Sequence, residues 1–137
     1  MDWKLEIVVV PVTDVDRAKR FYSEQVGFAV DHDTKISDDM HIVQLTPPGS
    51  GCSIAVGKGI VEVEMAAGSV QGLQLVVPDI QAARAQLLER GVEVSQVQHY
   101  EGPNRVDGPG GRWNSFVFFS DPDGHGWTVP DRPADGA

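Results

Sequence analysis

The chain has 137 residues, 41% hydrophobic and 23% charged, which is the size of one domain and argues against general disorder. With 20 acidic against 11 basic side chains, its net charge of −9 leaves no surplus of cations for phosphates, which disfavours a non-specific nucleic-acid or anionic-membrane binder. The one cysteine, Cys52, can form no intrachain disulfide and no zinc-finger spacing, so a cytoplasmic protein is expected.

The short apolar run that follows Met1 to Glu6 and is interrupted by Pro11 lacks both a basic leader and the length of a membrane span, so no signal peptide is expected. Leu5 to Pro11 is apolar and β-branched except for Glu6 and predicts a buried strand. Asp14 is a helix cap, after which Val15, Ala18, Phe21, Tyr22 and Val26 share one side until Gly27 stops the helix. Phe28 to Val30 begins the next strand, and the acidic stretch around Asp31, His32, Asp33, Asp38 and Asp39 reads as a solvated loop. His41 to Thr46 and Ser53 to Val56 predict two more strands. Ile60 to Met65 predicts a sheet extension or a linker, with Glu62 and Glu64 on one face if it is extended.

The pattern then repeats. Leu73 to Val77 is a strand, Asp79 a cap, and Ile80, Ala83, Leu87 and Leu88 an apolar helix side ended by Gly91. Val92 to Val97 returns as a strand. The two caps lie 65 residues apart, so two equivalent modules, about 1–66 and 67–130, are expected to share one domain. Glu101 to Arg112, rich in glycine and proline, predicts a long loop at the rim of a binding site. Asn114 to Ser120 and Gly126 to Val129 predict a hairpin around the turn Asp121-Pro122-Asp123-Gly124, and residues 131–137 a flexible tail.

Three segments in this order resemble the vicinal oxygen chelate superfamily, which includes glyoxalase I, bleomycin-resistance proteins and extradiol dioxygenases. They are Val12-Thr13-Asp14-Val15-Asp16-Arg17-Ala18 with Phe21-Tyr22 and Val26-Gly27-Phe28; Val77-Pro78-Asp79-Ile80 with Ala82-Ala83 and Leu87; and Phe118-Phe119-Ser120-Asp121-Pro122-Asp123-Gly124. Two further stretches, Val43 to Ile54 and Asp121 to Trp127, resemble small actinobacterial glyoxalase-like proteins. The resemblance implies an α+β fold of paired βαβββ modules, each with a curled mixed sheet, enclosing a small-molecule cavity. It also implies a homodimer.

Enzymes of that superfamily hold one divalent metal through His and Glu side chains on inner strands. Counting from the cap aspartates and from Gly124 carries those positions to Ile7, Leu73, Thr128 and the vicinity of Ile54. None is a suitable ligand, so no metal and no other cofactor is expected. His32, His41, His99 and His125 make no metal-binding spacing, and His125 reads as a surface or hairpin residue. Cys52 reads as a small buried residue, and Arg105 as an anion contact or a solvated loop cation.

The candidate ligand-binding residues are Glu6, Gln44 and Gln74, polar side chains interrupting apolar strands, with His99 and Tyr100 at the entrance to the glycine-rich loop and Asn114, Phe116 and Phe118 on the late strand. The expected function is metal-independent binding or sequestration of an aromatic or mostly apolar small molecule, such as an antibiotic or secondary metabolite. The alternative is a lyase or isomerase acting on an oxygenated metabolite, with Glu6 or His99 as general acid or base. The overall negative charge is compatible with a cationic ligand.

Overall fold

In the computed structural model, which describes residues 1–59 and 65–132, both expected caps are in place. Asp14 accepts the Arg17 N–H at 3.0 Å and Asp79 the Ala82 N–H at 3.1 Å. Each satisfies a backbone donor that the first helical turn would otherwise leave unpaired. The helix α1 (Val15–Arg20) runs into a π-helical segment, Phe21–Val26, and α2 spans Ile80–Glu89. The π segment closes on Gly27, whose φ of 93° brings the N–H groups of both Gly27 and Phe28 onto the Tyr22 carbonyl. A side chain at that φ would clash with its own backbone, which is why glycine ends the turn.

The chain divides into two compact units, Met1–Val70 with Asp121–His125, and Gln71–Ser120 with Gly126–Ala137. The first unit holds β1 (Ile7–Pro11), β2 (Ala29–Ser37), β3 (Met40–Thr46) and β4 (Ser53–Lys58) in the order β1-β4-β3-β2. β1 runs parallel to β4 and the other pairs are antiparallel. The helical residues Val15, Ala18, Phe21 and Tyr22 are buried, as are Val10, Val43, Leu45, Ile54 and Val56 on one sheet face. This burial of aliphatic and aromatic surface is the unit's main source of stability.

The second unit holds β5 (Leu73–Gln74), β6 (Gln98–Glu101), β7 (Asn104–Asp107), β8 (Phe116–Ser120) and β9 (Gly126–Pro130) in the order β5-β9-β8-β6-β7. Here β5 is parallel to β9 and the remaining pairs are antiparallel. Ile80 and Leu87 of α2 are buried together with Val117, Phe119, Trp127 and Val129, and Phe119 stacks on Trp127 with ring centroids 6.0 Å apart.

Four expectations are corrected. The mixed sheets do not curl into a closed cavity: β1 and β2 bound one sheet, β5 and β7 the other, and these edges do not pair within either sheet as closure would require. The acidic stretch after Phe28 is not a loop but the nine-residue edge strand β2. The expected loop from Glu101 to Arg112 begins as a hairpin, because Gly102 and Pro103 form a tight turn and Asn104–Asp107 pairs back on β6. The return strand expected over Val92 to Val97 contributes only a bridge from Val94 to Phe119, since the Ser95 hydroxyl takes the Phe118 N–H and interrupts the ladder. Residues 60–64, with Glu62 and Glu64, and residues 133–137 of the expected tail lie outside the described residues.

Candidate functional site

Strand alternation divides the second unit's sheet into two chemically different faces. One carries Val117, Phe119, Trp127 and Val129, buried with α2. Register places Gln74 opposite Thr128, Thr128 opposite Phe118, Phe116 opposite Gln98, and Tyr100 opposite Arg105, so these residues share the other face. Phe116, Phe118, Gln98 and Thr128 are half-buried there, while Gln74, Tyr100 and Arg105 are exposed.

The rings on this face form a continuous strip. Tyr100 meets Phe116 edge-on at 5.4 Å, Phe116 and Phe118 lie 6.3 Å apart and nearly parallel, and the Arg105 guanidinium lies 4.1 Å from the Phe118 ring centre. A guanidinium over a ring face is held by the ring's quadrupole, which leaves its in-plane N–H donors directed outward. Asn114 fixes Tyr100 from the neighbouring loop by pairing with both its backbone groups, accepting the N–H at 3.0 Å and donating to the carbonyl at 2.9 Å. Gln98 donates to Asp107 at 2.8 Å, and its buried Oε1 has no hydrogen-bond partner among the described residues.

Thus Gln74, Tyr100, Phe116 and Phe118 come together on one face, with Asn114 as the residue that positions Tyr100. His99 does not join them: it alternates to the opposite face and is engaged at both ring nitrogens, by the Gly108 carbonyl at 2.8 Å and by Glu101 at 2.7 Å. The carbonyl first, and then the carboxylate, raise the His99 pKa above its ordinary value. Sequence reading did not select Gln98 or Thr128 as ligand contacts. The period-two alternation with Tyr100 and Phe118 is the signal that identifies them once the strand limits are known.

Glu6 and Gln44 belong to the first unit. Glu6 is exposed and precedes β1, with its carbonyl accepting the Ser53 N–H at 2.9 Å. Gln44 is half-buried on β3 and donates to the Ser53 hydroxyl at 3.4 Å, which also meets the Thr46 hydroxyl at 2.6 Å. Within the acidic stretch, Asp33 and Asp38 each meet a basic side chain. Asp33 accepts from Lys19 and faces the His41 ring, each at 2.7 Å, and these two contacts hold its carboxyl below the usual range. Lys35 pairs with Asp38 at 3.4 Å. Cys52 is half-buried, and its thiol donates to the Ser53 carbonyl.

The strand registers also test the metal positions. Ile7 lies opposite Ser53 rather than Ile54, and Thr128 opposite Gln74 rather than Leu73, a one-residue change in each unit. An aliphatic side chain, two hydroxyls and an amide do not make the imidazole and carboxylate set that a divalent metal of this kind requires. Among the described residues, no group of three His, Cys, Asp or Glu side chains is placed to hold a metal ion.

The model of the glyoxalase/bleomycin resistance protein/dioxygenase superfamily matches residues 4–129. The chain belongs to this superfamily. No curated protein matches it. Among solved members, TnmS3, an antibiotic-binding protein from Streptomyces sp. CB03234, is 32% identical with a TM-score of 0.73, over 97% of this chain and 98% of its own. A glyoxalase/bleomycin resistance protein from the same Streptomyces is 32% identical with a TM-score of 0.70, over 93% of this chain and 100% of its own. A superfamily member from Sphaerobacter thermophilus is 26% identical with a TM-score of 0.73, over 96% of this chain and 98% of its own. Among the described residues of the present chain, no helix is long and apolar enough to cross a membrane.

Proposed function

We propose that the protein binds and sequesters an aromatic or mostly apolar small molecule without a metal, and that its natural ligand is an antibiotic or related secondary metabolite. The observation that carries this reading is the strip of exposed Tyr100 and half-buried Phe116 and Phe118 on the face away from α2, flanked by Gln74, Gln98 and Thr128. Stacking on such rings buries apolar area, and the flanking amides and hydroxyl orient the ligand by hydrogen bonds. The likeness to an antibiotic-binding protein at 32% identity over nearly the whole chain supports the same class of ligand. In this reading residues 1–130 act as one folding domain in a cytoplasmic homodimer. Gln74, Tyr100, Phe116 and Phe118 touch the ligand, Asn114 holds Tyr100, and Glu6, Gln44 and His99 lie outside this contact set.

Calorimetric titration with 2-naphthamide, a neutral planar aromatic, tests the proposal. Saturable binding is expected, unchanged by prior chelation and weakened by about 1–2 kcal/mol in a folded Phe118→Leu variant that loses the ring contact. Absence of saturable binding by both 2-naphthamide and its carboxylate analogue 2-naphthoate, or loss of binding on chelation, would overturn this function.

A further inference from the structure

Three cations of each unit differ in what they face. In the first unit Arg17, Lys19 and Lys35 each meet a carboxylate, that of Asp123, Asp33 or Asp38. In the second unit three guanidiniums lie over rings instead: Arg105 over Phe118 at 4.1 Å, and Arg132 and Arg112 toward Trp113 at 4.6 Å and 5.8 Å. None of the three makes an ion pair with a carboxylate among the described residues. Asp107, which shares a face with Arg105, receives its hydrogen bond from Gln98.

A ring face supplies attraction to the guanidinium but no hydrogen-bond acceptor. Arg105 therefore presents several charged donors at the edge of the aromatic strip, fixed in orientation by the stack. A planar ligand lying along Phe116 and Phe118 and carrying an oxyanion at its edge would satisfy both features at once. A carboxylate or ionised phenol would accept from the guanidinium, and its ring would extend the stack. A cationic ligand would meet Arg105 head-on. The Arg105 charge at the end of the strip is thus opposite in sign to the protein's net charge of −9.

We infer that Arg105 sets ligand specificity, selecting planar aromatic molecules that bear an anionic oxygen over neutral or cationic analogues. The inference rests on the aromatic-binding function proposed above. The test compares three probes with one ring system, 2-naphthoate, 2-naphthamide and 2-naphthylmethylammonium, against wild type, Arg105→Gln and Arg105→Lys, with circular dichroism to verify folding. In wild type the carboxylate is expected to bind about tenfold or more tighter than the amide, with the ammonium weakest, because charge-assisted hydrogen bonds exceed neutral ones. This preference should shrink with added salt and fall to about unity in Arg105→Gln, with Arg105→Lys between them. Equal binding of carboxylate and amide in wild type, or a preference that survives Arg105→Gln, would overturn the role of Arg105 while leaving aromatic binding intact. Failure of all three probes to bind would overturn both.

Discussion

At His99 both ring nitrogens face oxygen acceptors, the Gly108 carbonyl and the Glu101 carboxylate, which suits the doubly protonated ring. Folding raises its pKa above 6.5, so this contribution to stability is fully present below pH 6.5 and is lost as pH rises through the higher folded value. A histidine titration followed by NMR is expected to give His99 a midpoint above 6.5, moving down in Glu101→Gln. A wild-type midpoint at or below 6.5 would contradict these contacts. The residue was legible as one worth singling out, since it adjoins the glycine-rich segment. Its Gly108 partner was not, because it depends on the hairpin that brings Gly108 back beside β6, and its Glu101 partner follows only once the segment is known to be extended. The same dependence separates it from Tyr100: adjacent positions on a strand serve opposite faces.

Among the elements, the turn Asp121–His125 illustrates how a recognisable motif can support the fold instead of the chemistry. The buried Asp121 carboxylate accepts from the Tyr22 hydroxyl at 2.7 Å and from the N–H groups of Asp123 and His125 at 3.0 and 2.9 Å. Asp123 accepts from the Thr13 hydroxyl at 2.7 Å. The His125 ring, expected at the surface or in a hairpin role, is wholly buried: Nδ1 accepts the Val70 N–H at 2.9 Å, and Nε2 faces the Pro11 carbonyl. Gly68 passes so close to this turn that a Cβ there would lie 2.3 Å from the Asp123 carbonyl oxygen. Tyr22→Phe would remove one donor from a buried carboxylate at nearly constant volume, with an expected loss of about 1.5–3 kcal/mol in urea unfolding. A loss within error of zero would show that the Asp121 carboxylate does not need this donor. These residues carried much of the family resemblance, and their contacts explain why the motif reports on fold rather than on ligand.

For the whole molecule, Trp3, Leu5 and Ile36 are exposed by 88%, 71% and 69%, and the proposed homodimer is tested by its mass in solution. Light scattering at micromolar concentration is expected to give twice the 14.8 kDa chain mass, and a single-chain mass throughout the range would refute the homodimer. The two helices and their caps were determined by the sequence alone, because caps, glycine stops and apolar spacing act between residues only a few positions apart. The family resemblance put the metal positions at Ile7, Leu73, Thr128 and near Ile54, and strand register brings Gln74 and Ser53 opposite Thr128 and Ile7 instead. Only the tertiary structure decided that the sheets stay open, that Asn104–Asp107 is a strand, and that Gln74, Thr128, Phe118, Phe116, Tyr100 and Arg105 share one face while His99 does not. The physical reason is register: a slip of one residue reverses every side chain on a strand, and pairing across distant segments is set by how the whole sheet packs rather than by local sequence.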